Sequence, residues 1–256
     1  MKRILKGNEP ATLVRFREAC PSATWEEMRN DALHDGQNAY KDCRDQTIKD
    51  QWRLCAYCEC KLNLDKHGAC RVEHVIPKSM TTPAHNLHLD WRNIVATCDG
   101  GSKITPCDGE EPQGPQTIPL PENLSCDVSK KAHTIQIDPL TLPIFPNIFA
   151  FDKGTGYLAP DPALCVAAAV NPDNLKQTIE ILNLNCERLA RHRRKIVVDI
   201  DRRKKVLRQK NYTPQASELL LAKRYFNTKW PEFFTTIRCC LGKIAEDYLS
   251  SIGYEG

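Results

Sequence analysis

The sequence predicts an α+β fold: a small metal-braced core of short strands carried on a mainly helical framework. Three observations predict it. Residues 55–140 are dense in Cys, His, Gly and Pro and hold only short apolar pieces, such as 71–76 and 94–96, too little to bury a core without a structural metal. On both sides of that region the apolar residues recur at helical spacing. The 256 residues also include 13 cysteines, an odd number, and the start MKRILKGNEPATLV has no apolar block. A secreted disulfide framework is therefore not expected, and clustered cysteines in a reducing compartment point to metal.

The elements follow in order. Up to residue 36 the chain shows no clear period. Residues 38–54 lack Gly and Pro and place Tyr40, Cys43, Ile48, Trp52 and Leu54 near helical spacing, so a helix should lead directly into Cys55. Residues 108–123 are proline-rich and read as an excursion without regular structure. Short strands are expected at 134–137 and 147–151, the second turning through Asp152-Lys153-Gly154-Thr155-Gly156 into Tyr157 and Leu158 as a hairpin. Beyond 159–172, Asp173 can cap a helix carrying Leu175, Ile179, Leu182, Leu189, Ile196, Val197 and Ile200, with a break at 183–185. Helices over 214–228 and 231–251 each begin with proline near the first turn. The chain thus divides into an N-terminal extension and helix (1–54), a metal-braced core (55–160) and a C-terminal helical region (161–256). Mean hydropathy is −0.49 and no apolar run approaches the roughly 20 residues of a membrane helix, so no membrane partner and a cytoplasmic location are expected.

Cys55-Ala56-Tyr57-Cys58 has the spacing that lets a tight turn present two thiolates to one tetrahedral Zn²⁺. A redox pair would be expected beside a βαβ pattern, which is missing. Two further ligands are needed, and Cys98, Cys107 and Cys126 are available downstream, with Cys60 and Cys70 nearby. Between them, Val72-Glu73-His74-Val75-Ile76-Pro77-Lys78-Ser79 ends a strand in a carboxylate and a histidine. Alone, that is as readily a surface histidine as a functional one.

The order of the pieces carries more. Cys55-to-Cys58, Glu73-His74-Val75-Ile76-Pro77-Lys78-Ser79, Trp91-Arg92-Asn93-Ile94-Val95-Ala96-Thr97-Cys98, Cys126-Asp127-Val128-Ser129-Lys130 and Asp138-Pro139-Leu140 resemble the layout of a zinc-braced HNH (ββα-metal) nuclease. They resemble in particular the PtuB-type HNH endonucleases of the Septu and retron-linked antiphage systems. The resemblance spans roughly residues 6–194 with gaps, including Glu9-Pro10, the 149–157 hairpin and Thr178-to-Asn185. It implies a structural Zn²⁺ on Cys55, Cys58, Cys98 and Cys126, with Cys107 in reserve. It implies His74 as general base, Glu73 and Asp127 as oxygen ligands of a catalytic Mg²⁺ or Mn²⁺, and Asn93 bridging a loop to orient His74. It further implies an effector that works with a PtuA-type ATPase and a retron reverse transcriptase with its msDNA. Two features depart from the family pattern: the span from Cys98 to Cys126 is long, and Glu73 stands where many HNH proteins have aspartate.

The net charge of +4 is unevenly spread. Residues 186–210 hold eleven Lys or Arg against three acids, an excess of eight that leaves the remainder of the chain four negative. In a nuclease such a segment suits phosphate contact, so Arg193, Arg194, Arg203 and Lys204, together with Lys78 and Lys130, are expected to bind nucleic acid. DNA is favoured as substrate, with tRNA or other RNA as the alternative. A non-catalytic zinc-dependent adaptor for nucleic acid or a partner is the rival function.

Overall fold

The computed structural model describes residues 1–65, 68–102, 120–227 and 229–256. Three helices come first: α1 (Ala11–Ala19), α2 (Trp25–Asn30) and α3 (Gly36–Asp50). The sequence showed no period over α1 and α2 because nine and six residues are too few for a helical stripe to repeat. α2 is fixed instead by a capping box, in which Thr24 and Glu27 each accept from the other's backbone N–H. Leu13, Phe16, Trp25, Met28, Ala39 and Cys43 of these helices share one apolar cluster with Leu89, Trp91 and Ile94.

α3 ends at Asp50, four residues before the expected end, because Trp52 and Arg53 take left-handed φ of 56° and 62° and turn the chain into a tight hairpin. There Leu54 pairs with Lys61, and Cys55 N–H donates to the Cys60 carbonyl at 2.8 Å. β1 (Cys70–His74) and β2 (Ile94–Cys98) then pair antiparallel, with Cys70 opposite Cys98 and His74 opposite Ile94. The short helix α4 (Cys126–Lys130) packs on β2, completing a ββα unit. The expected excursion at 108–123 lies largely outside the described residues.

The hairpin expected around Asp152-to-Gly156 forms, as β3 (Phe149–Phe151) and β4 (Leu158–Pro160). Residues 134–137 do not form a strand: the Ile137 N–H is taken by the Thr178 hydroxyl at 3.2 Å, so the segment lies against a helix. The helices after it are α5 (Pro162–Ala167), α6 (Pro172–Ile181), α7 (Glu187–Gln209), α8 (Pro214–Tyr225) and α9 (Phe234–Ser251). α6 is capped by Asn171, whose side chain accepts from Asp173 N–H at 2.8 Å. The expected break at 183–185 separates α6 from α7, with Asn183 at φ 46° donating to the carbonyls of Glu122 and Leu124 at 2.9 and 2.8 Å. α9 starts later than expected because Phe233 is left-handed and its N–H donates to Glu59 in the cysteine hairpin.

The cores cross the divisions read from sequence. One cluster joins Ile48, Cys55, Ala96, Leu182, Leu189 and Phe233, so it draws on all three proposed regions. A second lies between α7, α8 and α9. No helix is long and apolar enough to cross a membrane among the described residues. In the second cluster Phe234 is fully buried, with the rings of Phe226, Trp230 and Tyr254 centred 4.9–5.4 Å from it. Phe234→Ala should cost about 3–5 kcal/mol, read as a lower urea midpoint with an unchanged slope.

Candidate functional site

Four cysteines far apart in sequence meet at one point. The sulfurs of Cys55, Cys58, Cys98 and Cys126 all lie within 4.8 Å of one another. Three of the separations are 3.7–3.8 Å: Cys55 to Cys126, Cys58 to Cys98, and Cys98 to Cys126. A tetrahedron with metal–sulfur bonds of about 2.3 Å has edges of about 3.8 Å, so the donor set and spacing fit a zinc ion. Cys107 lies outside the described residues.

Backbone geometry makes this meeting possible. Gly100, at φ 63°, brings the end of β2 onto the start of α4, and a Cβ there would stand 2.3 Å from the Ser125 carbonyl. The Gly100 N–H also donates to Cys98 Sγ at 3.4 Å. Arg188 of α7 stands beside the cluster, donating from Nη2 to Ser125 Oγ at 2.7 Å. Burial opposes its charge, but the neighbouring cysteines Cys58, Cys186, Cys60 and Cys98 together outweigh burial and raise its pKa.

Around this clamp the ββα unit positions the remaining predicted residues. Asn93 is 3% exposed and ties the β1–β2 connection together. Its Oδ1 accepts from Ile76 N–H at 2.7 Å, and its Nδ2 donates to the carbonyls of Ile76 and Leu87 at 3.0 and 3.1 Å. His74 closes β1. Its ring meets Trp25 edge-on at 5.0 Å, and its Nε2 lies 3.1 Å from the His88 carbonyl. Burial lowers its pKa to about 4, so the ring is neutral near pH 7. A carbonyl only accepts, hence Nε2 carries the proton and Nδ1 keeps the basic lone pair.

Asp127 lies close enough for its charge to act on Glu73. Burial raises the pKa of Glu73, opposed by Lys130 and reinforced by Asp127; burial also raises that of Asp127, opposed by Arg71. Lys130 Nζ donates to Glu73 Oε1 at 2.8 Å, and Arg71 Nη1 to Asp127 Oδ2 at 3.0 Å. Asp127 Oδ1 is buried with no hydrogen-bond partner among the described residues. Two buried carboxylates, one with an unused oxygen, are a donor set suited to a hard divalent cation. Tyr57, inside the Cys-x-x-Cys turn, also has a buried, unpartnered hydroxyl. Its pKa is raised by burial and then by Glu73. No spacing in the sequence marks it, because the signal there is the pair of flanking cysteines.

Three of the expected phosphate contacts, Lys130, Arg193 and Lys204, are corrected because their side chains are buried. Lys130 is 1% exposed, and its ammonium is spent on Glu73 and on the His74 carbonyl at 3.0 Å. Arg193 is also 1% exposed and donates to the carbonyls of Leu184 and Gly156 at 2.7 and 3.2 Å. Lys204 is buried, paired with Glu218 at 2.7 Å. Arg194 pairs with Glu187, Arg203 with Asp199 at 2.6 Å, and Lys78 with Glu26. A charge count along the chain misled because α7 is packed on more than one side and turns several cations inward.

A cavity of about 980 Å³ opens beside Glu73 and His74, between α2 and α3 on one side and β1 with the end of α4 on the other. Charge counting along the sequence also missed its basic lining, since Arg29, Lys41, Arg44 and Lys131 are scattered in the chain.

A strand-borne histidine and carboxylate and a second carboxylate on a following helix thus share one ββα unit with four cysteines that could hold a metal ion. No protein-family model matches the chain. The chain is 36% identical to the "Retron Ec83 putative HNH endonuclease" of Escherichia coli, over 93% of its own length and 92% of that protein. It is 28% identical to the "Retron Vc95 putative HNH endonuclease" of Vibrio cholerae serotype O1 biovar El Tor, over 64% of its length and 67% of that protein. The chain belongs to this family of HNH endonucleases.

Asn93→Ala would leave a buried N–H and two carbonyls without partners, and should lower stability by about 1–3 kcal/mol, measured by denaturant titration. Hydrogen exchange should speed up most at Ile76 in the β1–β2 connection.

Proposed function

We propose that this protein is a retron-associated, metal-dependent HNH endonuclease that cleaves nucleic acid as an antiphage effector. The observation that carries this reading is that one ββα unit bears Glu73 and His74 on β1 and Asp127 on α4, beside a four-cysteine site. Zn²⁺ on Cys55, Cys58, Cys98 and Cys126 braces the unit, replacing a core that so few apolar residues would not supply. His74, neutral and held by Trp25 and the His88 carbonyl, takes the proton from the attacking water at Nδ1. Asn93 keeps the connection beneath it in place. Glu73 and Asp127 would hold Mg²⁺ or Mn²⁺, which supplies positive charge for the phosphate and the leaving oxygen.

The names of the relatives support a retron setting, and the family resemblance extends it to a PtuA-type ATPase and to a reverse transcriptase with its msDNA. DNA is the favoured substrate, with tRNA or other RNA as the alternative. The three-part division stands as a working scheme: 1–54 as partner-facing extension, 55–160 as nuclease core and 161–256 as helical support.

His74→Ala should reduce cleavage at least about 100-fold while leaving the protein folded and its metal content unchanged. The measurement is incubation of the protein, with its neighbouring gene product, with DNA and with tRNA in Mg²⁺. Retained cleavage would overturn the role of His74, whereas binding without cleavage by the unsubstituted protein would favour an adaptor. Removing metal with a thiolate-selective chelator should release one zinc per chain and unfold the ββα unit, followed by elemental analysis and circular dichroism.

A further inference from the structure

The cavity beside the ββα unit has two walls, and only one belongs to that unit. The other is built by α2 and α3. Trp25 of α2 is the edge-on partner of His74, and its ring lies 5.4 Å from that of Tyr40 on α3. From the same two helices Arg29, Lys41 and Arg44 line the cavity.

We propose that the α2–α3 pair is the second wall of the substrate cleft, and that Arg29, Lys41 and Arg44 clamp backbone phosphates flanking the bond cut at His74. This inference rests on the endonuclease site proposed above. Seven basic side chains line the cavity against three acidic ones. Two of those acids are already neutralised, Glu26 by Lys78 and Glu73 by Lys130. The remaining positive charge has no structural use on α2 and α3. Arg29 and Lys41 make no ion pair with any described residue. Arg29 lies over the Tyr40 ring at 5.5 Å, a contact that leaves its N–H groups available. Arg44 pairs only with its exposed neighbour Asp45, at 3.1 Å, a type of pair worth about 0–1 kcal/mol and readily exchanged for a phosphate.

Charges of one sign facing each other across a cleft repel, and that cost is removed when a polyanion enters between them. A concave wall also focuses the field on the space it encloses. The Lys78–Glu26 pair bridges the two walls, so an entering phosphate would compete with Glu26 for Lys78. On α7, by contrast, Arg193 and Lys204 are buried, and Arg194, Arg202 and Arg203 pair with Glu187 and Asp199.

The test is binding of a labelled DNA duplex and of tRNA by the full chain carrying His74→Ala, in Ca²⁺, across a salt series. The triple substitution Arg29→Ala, Lys41→Ala, Arg44→Ala should weaken binding of the tighter probe at least about tenfold near physiological salt. It should also make the slope of log affinity against log salt shallower by about 2 to 3, close to one unit per phosphate lost. Arg29→Lys with Arg44→Lys should keep most of the slope, and Lys205→Ala, Arg208→Ala, Lys210→Ala on the outer end of α7 should keep all of it. Melting temperature and zinc content check that each variant folds. An unchanged slope in the first variant, or an equal loss in the α7 variant, overturns the clamp. Failure of the protein without any substitution to cleave either nucleic acid with Mg²⁺ would instead count against the proposed function.

Discussion

The four-cysteine clamp is the constraint on which the rest depends. It gathers a hairpin after α3, the end of β2 and the start of α4, which are separated by up to 71 residues. Without it, the two short strands and five-residue α4 have too little apolar surface to hold a fixed relation. The energy of such a site, on the order of 10 kcal/mol for a structural zinc, is comparable to the whole stability of a small domain. It does not act alone. A tetrathiolate around a divalent ion carries two negative charges, and Arg188 and Arg193 approach it from α7, so the C-terminal helices supply its counter-charge.

The same clamp sets the electrostatics of the groups proposed as catalytic. By drawing α4 onto β2 it brings Asp127 within reach of Glu73, while Arg71 and Lys130 hold the pair in place. Lys130 then serves as an internal tie, joining the helix to the strand that ends in His74. On the other face, α2 supports the His74 ring through Trp25. The histidine is thus seated by an element outside the ββα unit, and its burial there keeps it neutral. N-terminal helices, metal core and C-terminal helices act as one packed body, as the shared apolar cluster requires.

Much of this was legible in the sequence. The short-range features read well: the Cys-x-x-Cys turn, the strand ending in Glu73-His74, the hairpin at Gly154 to Gly156 and the helix led by Pro214 all rest on local backbone chemistry. α1 and α2 were too short to show a period. Residues 134–137 looked like a strand because they alternate, but the partner they found was the Thr178 hydroxyl. The family resemblance singled out Asn93, whose side chain bonds both sides of the loop it closes.

By itself the sequence determined the chemistry available: soft thiolates in a spacing that suits zinc, and carboxylates beside a histidine at a strand end, because these depend on residue type and near neighbours. The tertiary structure alone decided where the charges point. Eleven cations in residues 186–210 looked like one nucleic-acid surface, yet Arg193 is buried and Lys204 is held by Glu218. Arg29, Lys41 and Arg44, unremarked in the sequence, share a cavity with the site. Charge sums along a chain ignore direction, whereas a phosphate responds to the field in one place, and packing decides which side chains contribute to it.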